Sequence, residues 1–296
     1  MQQHDQKKAY IYGLSAVLIW STVASAFKIA LSHMEPLHLL FYAVIFSTLA
    51  LLIILIIQKK IGQITLMSKR ELLKNALPGL LNPFLYYIIL FEAYNLLPAQ
   101  EAQPLNYTWA ITLSLLSIPL LGQKMTAREL LAIFTSYLGV VVISTHGDLL
   151  DIKFSNGYGV FLALVSTIVW ALYWIYNTKS TADPLIGLFL NFCLGLPFVT
   201  AAMFIFSGPP PVNGPAILSA AYVGLFEMGI TFALWLKALK LTEKTARISN
   251  LIFLSPFLSL ILIHLILGEE ILPSTLVGLI FIVGGNIIQQ MGKRTA

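Results

Sequence analysis

Along the chain, long apolar runs alternate with short polar connections. The runs fall near 10–31, 37–57, 72–95, 98–121, 126–144, 157–176, 185–206, 216–239, 242–267 and 272–290. A hydrocarbon core about 30 Å thick is crossed by roughly 20 residues of helix, so each run predicts one transmembrane helix. The longest connections, around 58–71, 145–156 and 207–215, are too short to fold as a soluble domain. The activity is therefore expected inside the bilayer.

Composition agrees with the pattern. Of the 296 residues 58% are hydrophobic and 10% charged, against about 25% charged in a soluble domain. With the amino terminus in the cytoplasm, the inside connections collect Lys7, Lys8, Lys59, Lys60, Lys69, Arg70, Lys74, Lys124, Arg128, Lys179, Lys237, Lys240, Lys244, Arg247, Lys293 and Arg294, and the outside connections only Lys153. One missed span would flip every later connection and scramble this sorting. The expectation is an all-α protein of the inner membrane, ten spans, both termini cytoplasmic. The net charge of +5 follows from the same sorting and calls for no nucleic acid.

Most chemistry is excluded by omission. Cys193 is the only cysteine, so no internal disulfide can form. The five histidines lack the spacing of a metal site, and neither a P-loop nor a GxSxG elbow is present. No cofactor and no enzymatic activity are expected. The partners expected are a small-molecule substrate and membrane lipid.

The chain repeats itself at long range. A shift of 145 residues lays PGLLNPFLYYIILFEAYNLL (78–97) on VGLFEMGITFALWLKALKLT (223–242), pairing Gly79 with Gly224 and Ala93 with Ala238. A shift of 146 pairs Gly122 with Gly268 and Gly139 with Gly285. The halves are read as 1–144 and 157–296, joined by the polar linker 145–156. A unit of five spans is odd, so its second copy enters from the opposite side. Inverted repeats of this kind mark transporters, with the substrate near the midplane.

LLGQK (120–124), LILGEEI (265–271) and Ser255–Pro256 resemble the EamA family of the drug/metabolite transporter superfamily. Within it, IWST (19–22), NYTWAITLSLL (106–116) and WALYWIYNTK (170–179) are similar to the aromatic amino acid exporter branch. The resemblance implies ten helices around a central cavity, exporting small metabolites. The sequence departs from the pattern at GQK in the first half, where the second has LGEE, and at Ala110, where the branch often has proline.

Glu227 stands in an apolar run, GLFEMGITFALW (224–235), about 16 Å along its predicted helix at 1.5 Å per residue. Its repeat partner Asn82 lies at a matching depth. A charge facing lipid at that depth costs about 2.5 kcal/mol or more, so Glu227 should face the bundle or water. It is the candidate for binding a substrate ammonium and for carrying a coupling proton (H+). A packing role, as a neutral acid bonded to a neighbouring helix, is the alternative.

Other candidate substrate contacts are Trp20, Tyr86, Trp170, Tyr173 and Ser255, together with Asn106, Tyr107 and Trp109 beside Pro104. Trp170, Tyr173, Trp174 and Asn177 recur on one helical face, which suits a flat ring or a cation, or ordinary packing. Lys28 is expected to snorkel outward. Glu92, Glu101, Glu269 and Glu270 are expected to be solvated at the outer face. Three functions follow: an exporter of aromatic or similar amino acids, a drug, cation or nucleoside permease, and a membrane-embedded enzyme or scramblase. The last needs paired acid, base or nucleophile groups, which the sequence does not present.

Overall fold

The computed structural model describes residues 5–122, 126–148, 155–178, 183–242, 248 and 250–292. Lys124, Lys153, Lys179, Lys244, Arg247, Lys293 and Arg294 lie outside them, as does the side chain of Asn177. In chain order the helices are α1 (Gln6–Leu31), α2 (Pro36–Ile57), α3 (Lys69–Leu96), α4 (Ala99–Leu121), α5 (Ala127–Ser144), α6 (Gly157–Thr178), α7 (Pro184–Phe206), α8 (Gly214–Leu241), α9 (Ser255–Leu267) and α10 (Pro273–Gly292), with a short helix Ile61–Thr65 before α3. No strand occurs among the described residues.

Seven of these, α1 to α4 and α6 to α8, are long and apolar enough to cross a membrane. The runs predicted at 126–144, 242–267 and 272–290 yield shorter apolar helices, 130–144, 251–267 and 273–288. In the second of these a tight 3₁₀ turn, Asn250–Leu254, precedes Ser255–Pro256. Large side chains such as Leu18, Ile57, Phe206 and Leu265 are more than half exposed. Hydrocarbon solvates such side chains, and the protein is a multi-pass membrane protein.

Three predicted spans are not continuous α-helix, which corrects the reading from apolar pattern alone. α3 changes to a π-helical segment at Leu80–Leu85, with Asn82 in extended conformation (φ −142°, ψ 115°). Pro83 is the cause: it has no N–H to donate and disfavours α geometry in the preceding residue. α8 carries a π segment at Val223–Gly229, and α4 is interrupted between Asn106 and Trp109, two residues after Pro104. Periodicity shows where apolar side chains fall and is blind to a local change of hydrogen-bond step.

The chain forms two compact units. The first, Met1–Phe84 and Thr181–Leu262, contains α1, α2, α7, α8 and the start of α3 and α9. Two backbone approaches hold it. A methyl group added to Gly79 would lie 2.5 Å from the Asn191 carbonyl oxygen of α7, and one added to Gly224 would lie 2.4 Å from the Ala43 carbonyl oxygen of α2. At one end Asp183 caps α7 by accepting from Leu185 N (2.9 Å), and Lys60 (2.7 Å) and Lys240 (3.4 Å) pair with its other oxygen. Burial raises the Asp183 carboxyl, but the Lys60 bond, the capping N–H and the two lysine charges outweigh it and hold it below the usual range. The same end joins α1 to α8, with Asp5 N donating to the Leu241 carbonyl (3.0 Å) and Lys237 lying 4.5 Å over the Tyr12 ring. Elsewhere His38 Nε2 lies 3.3 Å from the Gly208 carbonyl, and Tyr42 donates to that of Pro211 (3.0 Å).

The second unit, Leu85–Ser180 and Ile263–Ala296, contains the end of α3, then α4, α5, α6 and α10. α5 and α10 run closely together: methyl groups added to Gly139 and Gly285 would lie 2.4 Å from the Gly278 and 2.6 Å from the Ala132 carbonyl oxygens. The Glu269 carboxylate accepts from Ala99 N (3.0 Å) and Gln100 N (3.1 Å), satisfying the first donors of α4. Gln100 in turn accepts from Leu272 N and Thr275.

Glu101 corrects its expected solvation. Its side chain is 2% exposed, its carboxylate bonded to His146 Nε2 (2.9 Å) and the Ser155 hydroxyl. Glu270 is exposed as expected, while Glu92 and Glu269 are half-buried.

Candidate functional site

In the first unit the feature is the altered turn of α8. A π segment shifts the hydrogen-bond step from four residues to five, and such segments are frequent at functional sites. Glu227, half-buried, lies inside it. The Trp20 indole N–H donates to the main-chain carbonyl of Glu227 at 3.4 Å, and the Thr231 hydroxyl donates to that of Phe226. Trp20 itself is half-buried, edge-on to Phe232 (5.6 Å between centroids) and 5.4 Å from Trp235. Tyr222 lies 4.8 Å from Phe226 and shares a 2.7 Å hydrogen bond with Thr22. The main chain at Glu227 and a group of aromatic rings thus meet between α1 and α8.

Two other predicted residues belong to this unit. Ser255 is buried, its hydroxyl 3.3 Å from that of Ser21 on α1. Asn82 is 1% exposed, and neither polar atom of its amide has a hydrogen-bond partner among the described residues. A buried polar group left so costs about 1 to 3 kcal/mol. Lys28 is half-buried in the last turn of α1.

The second unit groups Tyr86, Asn106, Trp170 and Tyr173. Trp170 stacks on Tyr86 at 4.5 Å and on Tyr173 at 5.4 Å, with the edge of Trp174 at 5.9 Å. The three stacked rings are between 5 and 8% exposed. Tyr86 OH donates to Asn106 Oδ1 (3.3 Å), and Asn106 Nδ2 donates to Ser166 (3.0 Å). Tyr107 offers its carbonyl to Asn286 Nδ2 (3.2 Å), while Trp109 is half-buried in the first turn of the helix after the break.

Several participants were missed from the sequence. Thr231 and Trp235 follow Glu227 at i+4 and i+8, so they share its helical face. That spacing was available. Ser166 and the Glu101–His146 pair join residues 60 and 45 positions apart, and no local signal connects them.

Apolar spans with polar groups held among them mark a multi-pass membrane protein. The EamA-like transporter family matches residues 7–145 and again 157–288, and the chain belongs to that family. It is 26% identical to an uncharacterized transporter of Clostridium kluyveri over 98% of this chain and 95% of the other. It is 25% identical to the uncharacterized transporter YvbV of Bacillus subtilis, covering 96% and 92%. Similarity to the aromatic amino acid exporter YddG of Ancylobacter novellus is 24% over 78% and 79%. A protein of known crystal structure superposes with a TM-score of 0.66 at 19% identity, covering 98% of this chain and 99% of the other, a likeness of fold.

Proposed function

We propose that the protein is a secondary transporter of the inner membrane that exports amino acids, aromatic or similar, by alternating access. Its ten crossings form two inverted five-helix repeats, 1–144 and 157–296, with the linker 145–156 between them and both termini cytoplasmic. The two family matches, 7–145 and 157–288, support this division. So do the contacts within each unit. Lys60, Asp183, Lys240 and Asp5 meet at one end, as connections on the inside must. Glu269 meets Ala99, and His146 and Ser155 meet Glu101, as connections on the outside must. Gly79 and Gly224, 145 residues apart, approach α7 and α2 in the same manner.

The observation that carries the substrate class is Glu227 in its π segment beside Trp20, Phe232 and Trp235. A carboxylate next to aromatic edges suits an ammonium group attached to an apolar or aromatic body. The same carboxylate is the candidate carrier of a coupling proton. Ser255 and Asn82 are the further polar contacts on this unit. Asn106, Tyr107, Trp109 and the Tyr86–Trp170–Tyr173 stack are those of the other. The exporter name of one relative supports the amino acid over other ammonium compounds. A cation or drug permease is the second reading, because an acidic residue in a segment lined by aromatic rings also fits a ligand with only positive charge.

The test is uptake of labelled phenylalanine or tryptophan into proteoliposomes, with and without an imposed pH gradient. Saturable uptake that responds to the gradient, and loses that response in Glu227→Gln, is the expected result. Saturable uptake indifferent to both would return Glu227 to packing. Binding of a cationic ligand by folded protein that moves no amino acid would replace the first reading with the second.

A further inference from the structure

The most heavily buried acid outside the Glu227 region is Glu101, in the first turn of α4. An ionised carboxylate removed from water needs compensation from hydrogen bonds or opposite charge. Both oxygens have partners: His146 Nε2 holds one at 2.9 Å and the Ser155 hydroxyl holds the other. Among the described residues no lysine or arginine pairs with it. Serine carries no charge, so among the described residues the charge at this position is balanced only when the imidazole or the carboxyl holds a proton.

The backbone singles out His146 independently. It has φ 54°, in the left-handed region, directly before Gly147 at φ 83°. A side chain there costs about 1 kcal/mol that glycine would not incur. The turn alone would be better served by a second glycine. The imidazole also reaches water, its side chain being 41% exposed while that of Glu101 is 2% exposed. Protons can therefore enter through His146 to a carboxylate that solvent does not otherwise touch.

We propose that Glu101, His146 and Ser155 form a proton-binding site that anchors the first turn of α4 to the connection between α5 and α6, and that its proton occupancy sets the transport rate. The anchored helix carries Asn106, five residues after Glu101, and leads into the break before Trp109. With the imidazole protonated, the anchor is a charge-assisted bond. With it neutral, the bond to the carboxylate remains but the opposite charge is lost, and α4 is held less firmly. Glu101 and His146 are positioning residues in this scheme. The rate clause rests on the transporter reading, whereas the proton site does not.

The elements packed on this part of α4 are α3, α5, α6 and α10. Their titratable side chains, as far as described, are Tyr86, Tyr87, Glu92 and Tyr94 on the contacting part of α3 (Tyr86–Leu96), Arg128 and Tyr137 on α5, Tyr158, Tyr173 and Tyr176 on α6, and none on α10. Asp148 follows His146 by two residues, and Glu269 caps the start of α4. None of these pairs with Glu101 or His146.

The experiment uses full-length protein in nanodiscs and proteoliposomes. Ring ¹⁵N resonances of labelled histidine are followed from about pH 5.5 to 8, the range in which imidazoles titrate, with His146 assigned by its loss in His146→Gln. The His146 ring resonances, or the way they follow pH, are expected to change between wild type and Glu101→Gln, and by less in the milder Ser155→Ala. In uptake of labelled phenylalanine, wild type should change about threefold or more across that range, roughly 0.65 kcal/mol. His146→Gln and His146→Lys should both be flat, at the alkaline and acid plateaus of the wild type respectively. A His146 ring indifferent to both replacements overturns the proton site. An inflection that persists in both His146 variants overturns its control of rate. If the wild type moves no substrate, the resonance arm still decides the site, and what has failed is the transporter reading.

Discussion

Trp20 and Trp170, one in each compact unit, are used differently by the structure. Trp170 lies in the second unit with rings stacked at 4.5 and 5.4 Å and 8% of its surface exposed. Trp20, in the first unit, is half-buried, meets its neighbours by edges and tilts, and has its N–H on a main-chain carbonyl within a π segment. A ring already covered by other rings has little to offer a ligand. A half-buried ring bonded to the main-chain carbonyl of a π segment keeps part of its surface open. The same residue type is thus enclosed by stacked rings in one unit and left partly open in the other.

The largest effect that would test this difference is on stability. Trp170→Ala removes a buried, stacked ring and is expected to destabilise by about 3 to 5 kcal/mol. That should appear as a drop of several degrees in the unfolding midpoint in detergent. Trp20→Ala should lower the midpoint by less while weakening uptake more. An equal loss of stability in the two variants would break the comparison.

Next come the backbone approaches of the first unit. Gly224→Val places new carbon atoms against the Ala43 carbonyl, which has no rotamer with which to retreat. A cost of about 3 kcal/mol is expected, seen as loss of the monodisperse peak in size-exclusion chromatography. Gly187 in α7, with nothing within 4 Å of an added methyl group, is the control. Gly187→Ala should be neutral or stabilise by about 0.5 to 1 kcal/mol. Glu227→Gln follows: uptake reduced about tenfold, equivalent to 1.4 kcal/mol, with the unfolding midpoint nearly unchanged. A large fall in the midpoint would mean that Glu227 is a packing residue.

The helical class and most helix positions were legible because lipid solvation imposes a run length on the sequence. Gly79 and Gly224 could be paired by their offset, although their reason, backbone contact with α7 and α2, needed coordinates. The break at Asn82 was foreshadowed by Pro83. The π segment around Glu227 was not, because it contains no proline and its apolar pattern continues through it. Glu101 was misread for a related reason. A glutamate near the end of a span looks solvated until its partners, 45 and 54 residues away, are known.

The smallest effect distinguishes charge from geometry at Asp183. Its carboxylate both caps α7 and pairs with Lys60 and Lys240. Asn213 performs the capping duty at the start of α8 with a side-chain amide oxygen, accepting from Ala216 N at 2.9 Å. Asp183→Asn should therefore keep the cap and lose only the charge. The lysine ends are partly exposed, so the loss at neutral pH is expected to be about 1 kcal/mol or less. Its pH dependence follows from the direction of the shift. The folded-state carboxyl is held below its ordinary value by Lys60, the capping N–H and Lys240. The stabilisation is thus complete above the unfolded-state value of about 3.9 and fades as pH falls through the lower folded value. Unfolding midpoints of wild type and Asp183→Asn should differ by a small constant amount from pH 7 to about 5 and converge below about 4. Convergence already near neutral pH would assign the difference to another group. A loss of several kcal/mol would mean that the two lysines are held out of water, and this end of the first unit would then be as closed as the Trp170 stack of the second.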